Sequence, residues 1–364
     1  MTVSEKSVRA EASPGRRGTS VQPAVREPMS AGSFVYKEPM RMMSLKAPFN
    51  KYVGQVPAEA LEVPSMMSVQ ERRFLYGLSS RYYEGHGIMV DAGIFLGAST
   101  RCFGQGLADN PARAAAIEKF GKPVVSFERA IVNPGMPAFF QRNNVKVVAE
   151  PGDTFEPALR ANVQPVEDVV DLRVGDILET GPVDHPIEIL FLDVLKMTEI
   201  ADFVVREYFP RLIPGRSVVI QQDYFYERLP FIKTYQEHYR EYFEYVGEIG
   251  STAVFLCVAE IPRGEPNLEQ ALDATTQIQL AGIAMNRSND PTRRFMMALS
   301  KLRLVRKLQG ANAAKAYLNV IRDDYPEQIE QGQQYARLRE AWRSAEQLVR
   351  SSKEQQAKAA VEEE

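Results

Sequence analysis

Cysteine is scarce in this sequence: 364 residues include only two, Cys102 and Cys257. Two cysteines cannot build a disulfide framework, and they are too few to form a structural zinc site by themselves. Cys102 follows a glycine-rich turn and Cys257 lies in an apolar run, so we interpret both as small core residues. These features predict a reduced, cytoplasmic setting.

Long hydrophobic runs are also missing. The longest apolar stretch, Ile187 to Leu195, is interrupted by Glu188 and Asp193, and it is far shorter than the ~20 residues of a membrane-spanning helix. The N-terminal residues contain no apolar segment of the kind that a secretory signal needs. The formal net charge is −3, whereas a nucleic-acid-binding domain is usually clearly basic. We therefore expect neither a membrane nor a nucleic acid as partner.

The composition divides the chain into three parts. Residues 1–62 are rich in proline and show no periodicity, which predicts a disordered or loosely ordered arm. The alternative is a lid over an active site, formed through Phe34–Tyr36 or Phe49. Residues 63–262 alternate apolar runs with helical segments. Residues 263–364 open with a linker at 263–266, continue with helical periodicity, and close with a solvated tail at 353–364.

The ordered part is expected to begin at Ser68. Ser68 and Glu71 have the spacing of a capping box, in which each residue bonds the other's backbone N–H. Apolar residues then follow at helical spacing up to Tyr82, and the glycines at 85 and 87 should end this helix.

Strands and helices alternate from there on. Continuous apolar strands separated by helices indicate a parallel sheet covered on both faces. Gly250-Ser251 is too short for a crossover, so the runs on either side of it are predicted to form an antiparallel hairpin, Phe243–Ile249 with Thr252–Ala259. The expected helices are Ser99–Leu107, Pro111–Phe120 and Glu199–Leu212. The other expected strands are Ile88–Ala92, Pro123–Phe127, Val145–Val148, Ile187–Val194 and Ser217–Gln221.

The C-terminal region shows two amphipathic stripes, one from Phe295 to Leu308 and one from Tyr335 to Val349. Such stripes usually form packing faces within a chain. A homodimer contact through the helix of Trp342 is the alternative.

The most informative segment is the glycine turn after the first strand. Gly93 should permit a tight turn and bring a cofactor close to the backbone, and Gly97 should let the following helix approach the strand. The helix N-terminus then offers N–H groups to an anion. Asp91, at the strand end, is placed to receive a positively charged amino group, which the methionine end of S-adenosylmethionine presents. The segment lacks the G-x-G-x-x-G pattern of dinucleotide folds.

Further carboxylates follow the other strands. Glu128 ends the second strand, where an acid can accept hydrogen bonds from both ribose hydroxyls. Asp176 follows Gly175 on a loop, where it is expected to bond the adenine amino group. Asp193 and Asp223 end the next two strands. Ligands of open α/β sheets bind beyond this edge.

The order of these elements from Ser68 to Ile261 resembles a class I S-adenosylmethionine-dependent methyltransferase. The segments FLDVLK (191–196) and VVIQQDY (218–224) are similar to the macrocin-type O-methyltransferase group. The resemblance implies a Rossmann-like α/β fold, mostly parallel with seven strands and a C-terminal antiparallel hairpin. It also implies that S-adenosylmethionine binds to the matching residues, which are Asp91, Gly93, Gly97, Glu128 and Asp176.

The same resemblance bears on catalysis. Metal-dependent relatives carry acidic or amide ligands after the fourth and fifth strands, where this chain has Asp193 and Asp223. Gln222 and Leu195 stand where those relatives carry further acids. A hard cation prefers several oxygen ligands, so this resemblance leaves a divalent metal open.

The general base is left open as well. The spacing of Lys196 after Asp193 resembles that of catechol-type enzymes, in which such a lysine is the base, provided that burial or a nearby charge lowers its pKa. A solvated lysine is the alternative, and His238 is the best candidate if the base is a histidine. Tyr224, Phe225 and Tyr226 are expected either to wall an acceptor pocket or to pack in the core.

The sequence therefore predicts a methyltransferase acting on a hydroxyl of a sugar or another small molecule. A second hypothesis is a non-catalytic scaffold that keeps the cofactor fold as an interaction module. A third, a nucleotide-dependent oxidoreductase, is disfavoured by the missing third glycine and the terminal hairpin.

Overall fold

The computed structural model describes residues 55–145, 150–263 and 267–350. At its centre is a seven-stranded sheet with the order β3-β2-β1-β4-β5-β7-β6. Neighbours from β3 to β5 pair in parallel, while β7 is antiparallel to both β5 and β6. The strands are β1 (Ile88–Ala92), β2 (Val124–Glu128), β3 (Val170–Val174), β4 (Ile187–Leu192), β5 (Val218–Gln221), β6 (Phe243–Ile249) and β7 (Thr252–Cys257).

This topology confirms the Rossmann-like methyltransferase sheet and the terminal hairpin. The central strands have continuous apolar sequences because helices cover both of their faces. One face, which includes Met89 and Ile189, packs on the same core as Phe74 and Leu159. The other face, which includes Val90, packs on the core of the helices that follow β4 and β5.

Helices fill the segments between the strands and nearly all of the C-terminal region. They are α1 (Ala58–Leu61), α2 (Val69–Gly77), α3 (Ala98–Ala108), α4 (Arg113–Phe120), α5 (Met136–Arg142), α6 (Glu156–Val163), α7 (Ile177–Thr180), α8 (Thr198–Glu207), α9 (Pro230–His238), α10 (Leu268–Ala271), α11 (Ala274–Met285), α12 (Pro291–Gln309), α13 (Ala311–Asp324), α14 (Pro326–Gln331) and α15 (Ala336–Leu348). Among these described helices, none is long and apolar enough to cross a membrane.

The capping box at Ser68 is confirmed. The Ser68 hydroxyl accepts from the N–H of Glu71 at 3.2 Å, and the Glu71 carboxylate accepts from the N–H of Ser68 at 2.8 Å. After α2 the chain continues as one π-helical segment, Leu78–Tyr82. It ends just before the glycines, as predicted.

One strand differs from the sequence prediction. Of the strand expected at Val145–Val148, residues 146–148 lie outside the described residues, and the place beside β2 belongs to Val170–Val174. This is an edge strand in which only Val170 is fully buried. Asp171 and Arg173 break its apolar pattern, which explains why the sequence signal was weak.

The C-terminal stripes pack against each other. Phe295 and Leu302 of α12 share a core with Leu338 and Ala345 of α15, and the rings of Phe295 and Trp342 lie 6.2 Å apart. The stripes are therefore packing faces within the chain. The homodimer contact and the division at residues 62 and 262 stay predictions. The candidate lid residues, the 353–364 tail and most of the 263–266 linker lie outside the described residues.

Candidate cofactor and acceptor site

The carboxylates singled out in the sequence gather at one edge of the sheet. Asp91 is the fourth residue of β1 and Glu128 is the last of β2. Asp193 follows β4 directly, and Asp223 is the second residue after β5. Backbone bonds join these strand ends: the N–H of Gly93 donates to Phe127, and that of Asp193 donates to Ala92. Because parallel strands end at the same edge, the four carboxylates border one region.

Gly93 makes the turn after β1, with φ at +89°. A Cβ at this position would lie 2.7 Å from the carbonyl carbon of Asp193, far inside normal contact. The tight turn is as expected. The close neighbour, however, is the main chain after β4, so the absent side chain first of all makes room for that loop.

Gly97 also has φ at +89° and stands at the N-terminus of α3. The expectation that it lets the helix approach β1 is wrong. A Cβ here would lie 2.8 Å from Val163 Cγ2 and 3.2 Å from Leu159 Cδ1. The glycine therefore allows α6 to pack closely against the start of α3.

Asp91 is fully buried, and its two carboxylate oxygens differ. Oδ2 accepts from the Thr100 hydroxyl at 2.7 Å, whereas Oδ1 has no hydrogen-bond partner among the described residues. Burial raises the pKa of Asp91 to about 7, the hydroxyls of Thr100 and Ser99 oppose this, and the charges of Asp193 and Glu128 add to it. An unsatisfied buried carboxylate favours a cationic donor beside it. The site thus fits the amino group of S-adenosylmethionine.

Glu128 holds the glycine turn from the neighbouring strand. Its carboxylate accepts from the N–H of Phe95 at 2.6 Å and from that of Ala130 at 3.0 Å. Both of these residues have positive φ, 51° and 56°, which non-glycine residues seldom adopt. Burial raises the pKa of Glu128, and the backbone N–H bonds oppose the shift. The lone pairs that remain leave the predicted ribose contact open.

Asp176 lies at the same edge, after β3. Its carboxylate accepts from the N–H of Leu178 at 2.9 Å and caps the short helix α7. Leu178 beside it is 41% exposed. An exposed apolar side chain next to a carboxylate suits a flat base with an amino group, so the adenine contact stays a prediction.

Lys196 lies between the two carboxylates that follow β4 and β5. Its Nζ donates to Asp193 Oδ1 at 2.8 Å and also pairs with Asp223 Oδ2. Burial favours the neutral amine, but the two carboxylates outweigh it and raise the pKa of Lys196. A lysine base requires a lowered pKa, so the prediction of a lowered pKa for Lys196 is wrong.

The pKa of Asp193 is shifted in the direction that suits a general base. Burial raises its pKa to about 6, the Lys196 ammonium opposes the shift, and Asp223 and Glu128 add to it. A carboxylate that takes up a proton near neutral pH is a competent general base.

The donor set does not fit a divalent metal. Gln222, which stands where metal-dependent relatives carry an acid, has both ends of its amide engaged. Its Nε2 donates to Glu71 at 3.2 Å and to Ser251 at 3.1 Å, and its Oε1 accepts from Thr252 at 2.6 Å. Throughout the described ranges, no group of three or more histidine, cysteine, aspartate or glutamate residues could hold a metal ion.

The histidines lie away from this edge. His86 precedes β1, His185 precedes β4, and His238 ends α9 shortly before β6. Tyr239, whose ring lies 5.0 Å from that of His238, packs on Phe209 ahead of β5. All three positions are at the opposite, amino edge of the parallel strands, so His238 as the base is wrong.

The three aromatic residues after β5 have different environments. Tyr224 is fully buried, and its hydroxyl donates to Glu237 at 2.6 Å, so it packs in the core. Phe225 lines a cavity of about 510 Å³ together with residues of α12 and α15. Tyr226 is half-buried, with Arg337 5.9 Å above its ring. An acceptor wall stays a prediction for Phe225 and Tyr226 alone.

Two buried charged residues, Lys233 and Glu71, hold loops at this edge, a role that the sequence did not predict. Lys233 donates to the carbonyls of Asp223 at 3.3 Å and Leu229 at 3.1 Å, and also to that of Tyr226. Burial lowers its pKa to about 7. The side chain fastens the loop that carries Asp223. Glu71 does the same for the hairpin turn, through Ser251 and Thr252. For Lys233, the available signal in the sequence was a single lysine in a helix segment that contains aromatic residues.

No protein-family model matches the sequence, and no curated protein does so. Among solved structures, the chain is similar to CalS11, described as a TDP-rhamnose 3'-O-methyltransferase of calicheamicin biosynthesis. Identity is 16%, 61% of this chain and 96% of that chain are covered, and the TM-score is 0.35. A second structure of CalS11 is 15% identical, with 63% of this chain and 97% of that chain covered and a TM-score of 0.36. Rv0187 from MTB, solved with its cofactor bound, is 17% identical, with 57% of this chain and 93% of that chain covered and a TM-score of 0.35. All three are low in identity and TM-score, and the fold of this chain follows from its own strand order.

Proposed function

We propose that this chain is an S-adenosylmethionine-dependent methyltransferase that acts on a hydroxyl group of a small molecule or sugar. The observation that carries the proposal is the buried Asp91 carboxylate, whose Oδ1 has no partner in the described part of the chain. It lies at the carboxyl end of β1, directly before a glycine turn. A buried acid in that condition favours a ligand that brings positive charge.

The cofactor is assigned to residues at this edge of the sheet. Asp91 would face the amino group, Glu128 the ribose hydroxyls, and Asp176 with Leu178 the adenine, while Gly93 and Gly97 shape the turn. When bound, the cofactor supplies an electrophilic methyl group. The chain contributes orientation, because holding two reactants in line is a large part of such an acceleration.

The acceptor half is assigned to the residues after β4 and β5. The Asp193 carboxylate, with a pKa of about 6, would take the proton of the acceptor hydroxyl. Lys196 and Asp223 hold that carboxylate in place. Met197, 49% exposed beside them, offers an apolar surface for the rest of the acceptor.

The proposal extends to the localisation, the partners and the oligomeric state of the protein. We expect a cytoplasmic protein without nucleic-acid or membrane partners, with the C-terminal helices as the surface for any homodimer. The net charge of −3 supports the expectation that no nucleic acid is a partner.

Calorimetry with S-adenosylmethionine, S-adenosylhomocysteine and NAD tests the proposal. We expect the first two to bind and NAD not to bind. Binding of NAD alone would point to an oxidoreductase, and binding of none would favour a scaffold. Asp91→Asn should weaken binding by about tenfold or more, since a charge-assisted hydrogen bond contributes roughly 1.5–3 kcal/mol. Asp168→Asn is the matched control, because Asp168 is exposed and pairs only with Arg113 in the described contacts.

A further inference from the structure

We propose that the ammonium group of Lys196 occupies the position of a divalent cation between Asp193 and Asp223, so that the acceptor site works without a metal. The occupancy itself is independent of the proposed methyl transfer. Only the last step below, the role toward the acceptor, rests on that function.

A single ammonium nitrogen lies between the two carboxylates. Asp193 and Asp223 follow neighbouring strands, and one nitrogen atom pairs with both of them, at 2.8 Å from Asp193 Oδ1. A lysine ammonium is a compact point charge with three donors. Placed between two carboxylates, it leaves the cluster with one net negative charge, whereas a divalent cation would leave it neutral.

The neighbouring positions that carry further ligands in metal sites are closed here. The Gln222 amide is committed at both ends, to Glu71, Ser251 and Thr252. Leu195 is 5% exposed and packs in the core beneath the site. A hard cation needs about six oxygen ligands, and the described side chains here offer two carboxylates. Water would have to supply the rest, so such an ion would be weakly held and the Lys196 ammonium excludes it.

The Lys196 ammonium is accessible to an acceptor. The Lys196 side chain is 52% exposed, and its hydrogen bonds to described residues use two of its three donors. The third can reach an acceptor oxygen. As the oxygen–carbon bond forms and the sulfur–carbon bond breaks, the hydroxyl proton passes to the Asp193 carboxylate and the sulfonium becomes a neutral thioether. Lys196 remains protonated and stabilises the negative charge that develops on the oxygen.

The test measures binding of Mn²⁺ to the full chain, by calorimetry and by the loss of the free-ion electron paramagnetic resonance signal. We expect no binding to the wild type. Lys196→Met removes the charge but keeps an unbranched apolar stem. It should bind Mn²⁺ more tightly than the wild type by at least about tenfold, which corresponds to ~1.4 kcal/mol. A second change, Asp193→Asn, should remove that binding.

Lys307→Met is the matched control, because Lys307 is an exposed lysine that pairs with a single carboxylate, Glu269. It should not bind Mn²⁺. Stoichiometric binding to the wild type that disappears in Asp193→Asn overturns the proposal. The proposal is also overturned if Lys196→Met unfolds cooperatively on heating, which shows that it is folded, but does not bind Mn²⁺. These readings need no cofactor, so a chain that binds no S-adenosylmethionine would refute the proposed function and leave this result intact.

Discussion

The main chain of Asp193 fills the space that a side chain on Gly93 would require. The two residues follow neighbouring strands, and a Cβ on Gly93 would lie 2.7 Å from the carbonyl carbon of Asp193 and 2.8 Å from its oxygen. The turn expected to hold the cofactor and the loop expected to hold the acceptor are therefore in direct contact. A change in one must displace the other.

Gly93→Ala should disturb both halves of the site. Left-handed backbone costs alanine about 1–2 kcal/mol, and the clash with Asp193 adds overpacking of about 1–3 kcal/mol. We expect the free energy of unfolding to fall by the sum of these terms and cofactor affinity to fall with it. Denaturant unfolding and calorimetry measure the two effects.

Gly152→Ala is the control for backbone strain alone. Gly152 has φ at +101°, and a Cβ there meets no atom of the described chain within 4 Å. Its cost should stay near the 1–2 kcal/mol of the left-handed backbone. Equal losses in the two variants would show that contact with Asp193 contributes nothing.

Asp91→Asn should separate stability from binding. The asparagine removes a carboxylate that is fully buried, so the cofactor-free protein should be no less stable at pH 8, while binding of S-adenosylmethionine is weakened. Thermal unfolding at pH 8 without cofactor, set beside calorimetric titration of the same variant, measures both. A variant that keeps wild-type affinity would remove Asp91 from the cofactor site.

Stability of the cofactor-free protein should fall as the pH rises from 5 to 8. The folded pKa of Asp91 is raised to about 7, so its stabilising effect is complete below the unfolded value of about 3.9 and is lost as the pH passes 7. Asp193, raised to about 6, acts in the same direction. Lys196 does not enter, because a raised lysine pKa matters only above about 10.4.

The contribution of Asp91 to this loss should be about 2–3 kcal/mol between pH 5 and 8. The difference in unfolding free energy between the wild type and Asp91→Asn at the two pH values isolates it. Lys233, with a pKa lowered to about 7, adds stability only as the pH rises beyond 7 and is common to both proteins. A pH-independent difference would contradict the expectation.

Gln222→Glu should destabilise the protein without creating a metal site. It would place a carboxylate where the amide now donates to the buried Glu71 at 3.2 Å. Two buried like charges should cost about 3 kcal/mol or more. The measurement is denaturant unfolding, with Mn²⁺ binding as a second readout.

Adding Glu71→Gln to that variant should recover part of the loss, because one carboxylate and one amide again face each other. A coupling energy of about 1–3 kcal/mol is expected in the double-mutant cycle. Recovery will be incomplete, since Glu71 also accepts from the N–H groups of Ser68 and Ser251. Strictly additive losses would mean that the two side chains act independently.

The sequence predicted the sheet well where burial on both faces forces apolar runs. β1 has the predicted bounds, and β5 differs by one residue at its start. The hairpin was predictable because Gly250-Ser251 leaves no room for a crossover. β3 escaped because an edge strand buries less and tolerates Asp171 and Arg173.

The site was predictable in position but not in interactions. Strand ends place Asp91, Glu128, Asp193 and Asp223 at one edge, and this follows from parallel topology. The protonation of Lys196 depends on which carboxylates reach it, and one of these, Asp223, lies 27 positions further along the chain. Such contacts are set by tertiary packing, which local sequence patterns do not encode.

The carboxylate of Glu71 has a consequence for the order in which the chain can assemble. Its partners Ser251 and Thr252 lie 180 and 181 positions further along, so during synthesis the helix that carries Glu71 emerges long before they do. Contacts across such separations form late. Until the last hairpin closes, the Glu71 carboxylate keeps its local bond to the N–H of Ser68 but lacks these two partners. The start of this helix is therefore expected to be fixed to the hairpin turn only late in folding.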